Sequence, residues 1–248
     1  MTGVLIVTGG SRGIGRAVSL RAAALGYRVA VNYRGDEGAA GETVDAIRAA
    51  GGTAEAMRGD MSVEADISAL FNEVDRSLGP VTALVNNAGI TGGDARIDTV
   101  TGDQVTRTMA VNVVGPFLCC REAVRRMSTA HGGKGGTIVN MSSGAARLGS
   151  PGMRIHYAAS KGALDTLTIG LSKEVAAEGI RVNSVRAGIT DTEIHGFADN
   201  PQKLAALSRI PPMGRVATVD EIAASVIWLL SDEASYVTGA LLDVGGGL

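Results

Sequence analysis

Apolar strand-like runs alternate with longer helical patterns along almost the whole chain, and this alternation constrains the fold more than any other feature of the sequence. The first run, Val4-Leu5-Ile6-Val7, is apolar at every position, as a strand buried on both faces must be. Strands are expected at Val4–Thr8, Arg28–Asn32, Thr53–Arg58, Ala83–Asn86, Thr137–Met141, Arg181–Val185 and Ala240–Val244. Helices are expected at Gly13–Leu25, Glu37–Ala50, Val63–Ser77, Gly102–Ser128, His156–Glu178 and Val219–Leu230. Parallel neighbours need crossover helices, and right-handed crossovers on both faces give an α/β, doubly wound, seven-stranded parallel sheet. No linker, repeat or low-complexity tract interrupts the sequence, so one domain over 1–248 is expected. The long irregular stretch at about 189–214 carries Pro201, Pro211 and Pro212 and reads as a substrate loop.

Composition narrows the class of function. Hydrophobic residues make up 45% and charged residues 19%, the balance of a folded chain with a large core. A net charge of -2 gives no reason to expect nucleic acid or a membrane surface as partner. No apolar run approaches the ~20 residues of a spanning helix. The first strand begins within a few residues of Met1, which leaves no room for a signal peptide. Cys119 and Cys120 are adjacent and form no CxxC spacing, so a reduced, cytoplasmic setting is expected, with both as packing residues. His131, His156 and His195 lack metal-ligand spacing.

Two constellations carry chemistry. The first is the turn Thr8-Gly9-Gly10-Ser11-Arg12-Gly13-Ile14-Gly15, placed where the first strand opens into the first helix. Gly9, Gly13 and Gly15 let the backbone come close to a pyrophosphate, with Ser11 and Ile14 in the same turn, and the helix N-terminus favours the charge. The second strand ends at Asn32, with no acid for a ribose 2′-hydroxyl, while Arg12 and Arg34 flank the adenosine position. Guanidinium groups suit a 2′-phosphate, so NADP(H) is expected, with NAD(H) possible because Asp36 and Glu37 lie nearby. The second constellation is Tyr157 and Lys161, four apart and thus on one helical face. A phenol titrates near ~10 in water, and a fixed cation beside it favours the phenolate.

With Gly59-Asp60-Met61, Asn86-Asn87-Ala88-Gly89, Asn112, Ile138-Val139-Asn140-Met141-Ser142-Ser143, Tyr157-Ala158-Ala159-Ser160-Lys161 and Val237-Thr238-Gly239 added in order, the chain resembles the short-chain dehydrogenase/reductase family over nearly its whole length. The resemblance lies with the 3-oxoacyl-reductase and glucose-dehydrogenase branch. It implies Tyr157 as acid/base, Lys161 as the group that lowers its pKa and bonds the nicotinamide ribose, and Ser143 as the group that polarises the substrate oxygen. Asn112 would hold a relay water. It also implies Asp60 and Met61 at the adenine, Asn87, Ala88 and Gly89 along the nucleotide cleft, and Gly188, Ile189, Thr190 and Thr192 by the nicotinamide.

The chain departs from the family pattern in three places. Ser142 and Ser143 are both candidates for the substrate-polarising serine, and Ser143 is preferred; it lies fourteen residues before Tyr157, one more than is common, which suggests an added residue near 151–155. Ala187 stands where a proline is usual, and Glu178 stands where carrier-protein reductases often carry a basic residue. The expected function is an NADP(H)-dependent oxidoreductase acting on a small-molecule carbonyl or secondary alcohol. Two alternatives are a 3-oxoacyl-[acyl-carrier-protein] reductase and a non-catalytic NADP(H) sensor. The substrate cleft is expected to be lined by Arg147, Leu148, Met153, His156, Ile194, His195 and Phe197. Apolar residues Val113, Phe117, Leu164, Leu167 and Leu171 on the two long helices point to a homotetramer.

Overall fold

In the computed structural model, which describes residues 3–192 and 201–248, seven strands form one parallel sheet in the order β3-β2-β1-β4-β5-β6-β7. The strands are β1 Val4–Val7, β2 Arg28–Tyr33, β3 Thr53–Arg58, β4 Val81–Asn86, β5 Gly136–Ser143, β6 Ile180–Ala187 and β7 Leu241–Val244. The expected alternation is met, with β5 and β6 each extended by two residues at the end nearest the candidate site. The helices are α1 Gly13–Ala24, α2 Glu37–Ala49, α3 Glu64–Ser77, α4 Gly102–Met109, α5 Gly115–Met127, α6 Ala145–Leu148, α7 Ile155–Val175, α8 Pro201–Leu207 and α9 Val219–Leu230.

Strand pleating sends alternate residues to opposite faces, and two apolar clusters result. Ile6, Ala30, Leu84, Ile138 and Val182 pack with α3, α5 and α7 on one face. Leu5, Val7, Val29, Val31, Val85, Val139 and Val185 pack with α1, α2 and α9 on the other. Chain direction across the sheet reverses between β1 and β4, and in open parallel sheets the crevice at that switch point is the ligand site. Thr101 and Gln104 form a capping box at α4, and Thr218 and Glu221 form another at α9, so both helices start where the local sequence directs.

Three expectations change, and one falls outside the described residues. The helix expected over Gly102–Ser128 is interrupted by a π-helical turn at Ala110–Val114, a form frequent at functional sites. α6 had no counterpart in the sequence reading, and the stretch expected to be irregular contains α8. Ile194, His195 and Phe197 lie outside the described residues. Leu164 and Leu167 do not face outward: they are buried in the inner cluster, and Leu171 packs against it. Val114, Phe117, Ile155 and Ile169 are exposed apolar residues of these helices.

Candidate active site

The glycine turn is held from both sides of β1. Gly9 and Gly13 have φ of 61° and 53°, the left-handed region that side chains disfavour. A Cβ on Gly15 would come within 2.2 Å of the Gly9 carbonyl oxygen. Asn87 Nδ2 donates to the carbonyls of Thr8 (3.0 Å) and Gly9 (2.9 Å), and the N–H groups of Asn87 and Ala88 both donate to Thr8 Oγ1. The Ser11 carbonyl accepts from Thr43, and Ile14 packs on the outer-helix cluster. No side chain caps α1 and no acid sits in its first turn, whereas α2 is capped by Asp36 and has Glu37 in its first turn. The start of α1 therefore offers bare N–H groups to an anion, as a pyrophosphate requires.

At the adenosine end, Arg34 Nη1 lies 3.9 Å from Asp60 and Arg12 Nη1 lies 3.6 Å from Asp36, with both arginines more than half exposed. Burial raises the Asp60 carboxyl, but two hydrogen bonds from Ser62, with Arg34 and Arg107 nearby, outweigh it and leave the pKa below its ordinary value. Two expected contacts turn out to be internal. Asn32 is buried; its Oδ1 accepts from Gly9 N–H and its Nδ2 donates to the carbonyls of Met57 and Gly59. It shapes the turn rather than facing a ribose. The Met61 side chain is in the core, 3.8 Å from Cys119 Sγ.

The four expected catalytic residues converge at the carboxyl end of β5. Ser143 ends that strand, and its Oγ accepts from Ala145 N–H (3.1 Å), so the start of α6 fixes its direction. Tyr157, half-buried on the first turn of α7, shares a hydrogen bond with Ser143. Lys161, one turn on, is buried and donates to the Met141 carbonyl at 2.6 Å, with Nζ 5.8 Å from the Tyr157 ring centre. Asn112 sits inside the π turn. Its Oδ1 accepts from Ile90 N–H, and its Nδ2 donates to the Ile90 carbonyl and to Ser160 Oγ. A Cβ on Gly89 would lie 3.5 Å from Lys161 Nζ and 3.4 Å from Asn112 Oδ1, so glycine keeps open the space through which a ribose would approach.

Burial is the largest influence on both members of the Tyr157–Lys161 pair. Burial raises the Tyr157 phenol above its ordinary value, against the hydrogen bond from Ser143 and the charge of Arg154. Burial also lowers the Lys161 ammonium to about 8, opposed by Asp165.

On the remaining side, Gly188 N–H donates to the Val244 carbonyl, and a Cβ there would meet Gly245 at 2.6 Å. Ala187, in place of the usual proline, still accepts from Gly144 N–H at 3.0 Å, so the turn keeps its tie. The Ile189 carbonyl accepts from Ala217 N–H, Thr190 is buried and donates to the Gly188 carbonyl, and Thr192 faces Gly13 across the cleft. The turn after α6 has left-handed residues at Gly149, Ser150 and Gly152, just before the site of the expected added residue. His156, expected to line the substrate cleft, is buried, with Nε2 3.1 Å from the Thr91 carbonyl oxygen.

Sequence reasoning missed Ser160, which donates to the Tyr157 carbonyl at 2.7 Å and links it to Asn112. It also missed Asp165, paired with Arg186 at 2.9 Å. Its four-residue spacing from Lys161 was the available signal. A cavity of about 510 Å³ opens beside Gly89 and is walled by Ile90, Thr91 and Gly92 and, from α4, by Asp103, Gln104 and Arg107.

Comparison with known proteins agrees with this geometry. The family described as enoyl-(acyl carrier protein) reductase matches residues 9–248. The chain is 50% identical over 244 residues to the uncharacterized oxidoreductase YgfF of Escherichia coli K12, covering 98% of this chain and 99% of that protein. It is 41% identical over 251 residues to 3beta-hydroxysteroid dehydrogenase 1 of Eggerthella lenta, covering 98% and 92%. Among solved structures, a variant of a Serratia marcescens short-chain dehydrogenase/reductase superposes with TM-score 0.91 at 33% identity over 99% of this chain and 97% of that one. The angucycline C-6 ketoreductase LanV with bound NADP superposes with TM-score 0.91 at 35% identity over 99% and 95%. The chain therefore belongs to the short-chain dehydrogenase/reductase family and is an oxidoreductase.

Proposed function

We propose that this NADP(H)-dependent oxidoreductase interconverts a carbonyl and a secondary alcohol, with Tyr157 moving the proton. The observation that carries this reading is the convergence of Ser143, Tyr157, Lys161 and Asn112 on one end of β5, beside the uncapped start of α1. NADP(H) supplies or accepts the hydride. The N–H groups of the glycine turn suit its pyrophosphate, Arg12 and Arg34 its 2′-phosphate, and Lys161 its ribose. Ser143 orients the substrate oxygen, and Tyr157 gives it a proton in reduction or takes one in oxidation. Asn112 fixes Ile90 and Ser160 and so sets the wall beside that proton path. The relatives named as a hydroxysteroid dehydrogenase and an NADP-bound ketoreductase support the reading.

The sensor alternative leaves the four convergent groups without a purpose. The carrier-protein alternative is disfavoured because Glu178 accepts from Ser128 and ties the end of α7 to the segment after α5. No helix among the described residues is long and apolar enough to cross a membrane. Cys119 and Cys120, free and buried, support a cytoplasmic setting. Exposed Val114, Phe117 and Ile169 support a homotetramer, and light scattering tests it: a mass near 25.2 kDa, unchanged by NADPH, overturns the oligomer.

A panel of ketones, aldehydes and sugars, followed by loss of reduced-cofactor absorbance, tests the activity. NADPH is expected to be consumed with at least one ketone and faster than NADH. Equal use of both cofactors overturns the cofactor assignment. A rate that survives Tyr157→Phe overturns the role of Tyr157.

A further inference from the structure

The Lys161 side chain is buried and donates to an uncharged oxygen, the Met141 carbonyl. A buried ammonium with one carbonyl partner is costly unless an opposite charge stands near. Asp165 lies one helical turn further along α7, on the same face. Its side chain is 8% exposed; Oδ2 accepts from Arg186 Nε at 2.9 Å, and Oδ1 is buried without a hydrogen-bond partner. A carboxylate serving only as a structural tie would ordinarily satisfy both oxygens. Arg186 on β6 also lies 3.7 Å from Asp243 on β7, and Asp243 accepts from Arg147 at 2.8 Å. Arg147 belongs to α6, the helix whose start fixes Ser143. Alternating charges thus follow one another from Lys161 and Asp165, one turn apart on α7, through Arg186 and Asp243 to Arg147.

We propose that Asp165 is a positioning residue of the catalytic centre: it is the counter-charge that keeps the Lys161 ammonium charged and seated against Met141, with Arg186 holding the carboxylate in place. The proposal rests on the reading of Tyr157 and Lys161 as the proton-transfer pair. Asp165 is also the charge that favours the protonated lysine against burial. The other charged groups around this cluster are engaged elsewhere. Arg154 pairs with Asp94 and acts on Tyr157, while His156 is bonded to the Thr91 carbonyl. Asp243 and Arg147 reach the cluster only through Arg186.

The test is the pH profile of kcat/KM for NADPH, which reports the free enzyme's ionising groups. Asp165→Asn is expected to move the alkaline limb down by about one pH unit, a loss of roughly tenfold on that limb, with rates in the acid range within about twofold of wild type. A purely structural role for Asp165 would lower the rate at every pH and leave the limb in place. If Asp165→Asn does not fold, as judged by circular dichroism, Asp165→Asn with Arg186→Met removes both charges and must move the limb in the same direction, by less because the positive Arg186 is lost as well. Asp165→Glu must return the limb toward wild type. An unmoved limb in the folded variants overturns the proposal. Tyr157→Phe separates the two readings. If it retains activity, the proton-transfer pair itself falls. If it is inactive while the Asp165→Asn limb is unmoved, only the role of Asp165 falls.

Discussion

The two ends of the cleft handle charge in opposite ways. At the adenosine end, Arg12 and Arg34 are 54% and 56% exposed and face their carboxylates at 3.6 and 3.9 Å. At the catalytic end, Lys161 is buried, and Asp165, one turn along α7 and paired with Arg186, is 8% exposed. Exposed charges act in high dielectric and are screened, so each is worth little, although they still discriminate between ligands. Buried charges act at full strength and are costly when unpaired. If the proposed function holds, the comparison teaches that cofactor choice would rest on weak, replaceable contacts, whereas proton transfer would rest on a buried set that tolerates little change.

Removing the phenol should produce the largest effect. Tyr157→Phe is expected to cut kcat by at least ~100-fold, the scale of lost acid–base catalysis. NADPH binding, measured by fluorescence, should barely change because the ring remains. A variant that turns over within a few-fold of wild type would break the comparison at its stronger end. Asn112→Ala comes next. It leaves the N–H and carbonyl of Ile90 and the hydroxyl of Ser160 without their present partner. The expected cost is about 2 kcal/mol of stability, a Tm lower by roughly 4–8 °C, and kcat reduced about tenfold. Thermal unfolding and steady-state kinetics on the same preparation check both, and an unchanged Tm would show the network to be slack.

How much of this was legible in the sequence follows from the same contrast. β1 was readable because every side chain in Val4–Val7 is buried, and the glycine turn because Gly9 and Gly13 need positive φ. Tyr157 and Lys161 were readable from their four-residue spacing, and Ser143 and Asn112 only through the family resemblance. The π turn around Asn112 was not, since no local propensity distinguishes it from a continuous helix. Nor were the internal roles of Asn32 and His156, because a polar residue at a strand end or before a catalytic tyrosine reads the same whether it faces ligand or backbone. The pairing of Asp165 with Arg186 joins α7 to β6, and pairings across elements depend on packing that one sequence does not display. The expected outward faces of Leu164 and Leu167 failed for the same reason: the sheet absorbs them.

At the weaker end, Arg34→Ala is expected to raise the Kd for NADPH by about fivefold, close to 1 kcal/mol, and to leave the Kd for NADH nearly unchanged. The low end of the range for charge-assisted contacts applies because Arg34 is more than half exposed and already lies near Asp60. Fluorescence titration with both cofactors decides it. Equal losses would mean that Arg34 acts through Asp60 and the adenine rather than through the 2′-phosphate.

The smallest expected effect is also the sharpest probe of the contrast. Raising ionic strength from about 0.05 M to about 0.5 M shortens the screening length from beyond 10 Å to a few ångströms. Contacts from Arg12 and Arg34 lie in water at the rim, so screening should weaken NADPH binding about threefold, with a smaller change for NADH, which lacks the 2′-phosphate. Lys161 and Asp165 are closed off from mobile ions by α7, β5 and β6, so kcat at saturating NADPH should stay within about 1.5-fold. The measurement is kcat and the NADPH Kd on one protein across the salt series. If kcat falls in parallel with affinity, the catalytic charges are reached by ions and the dry end of the cleft is not dry. If neither moves, the 2′-phosphate is held by something other than exposed arginines.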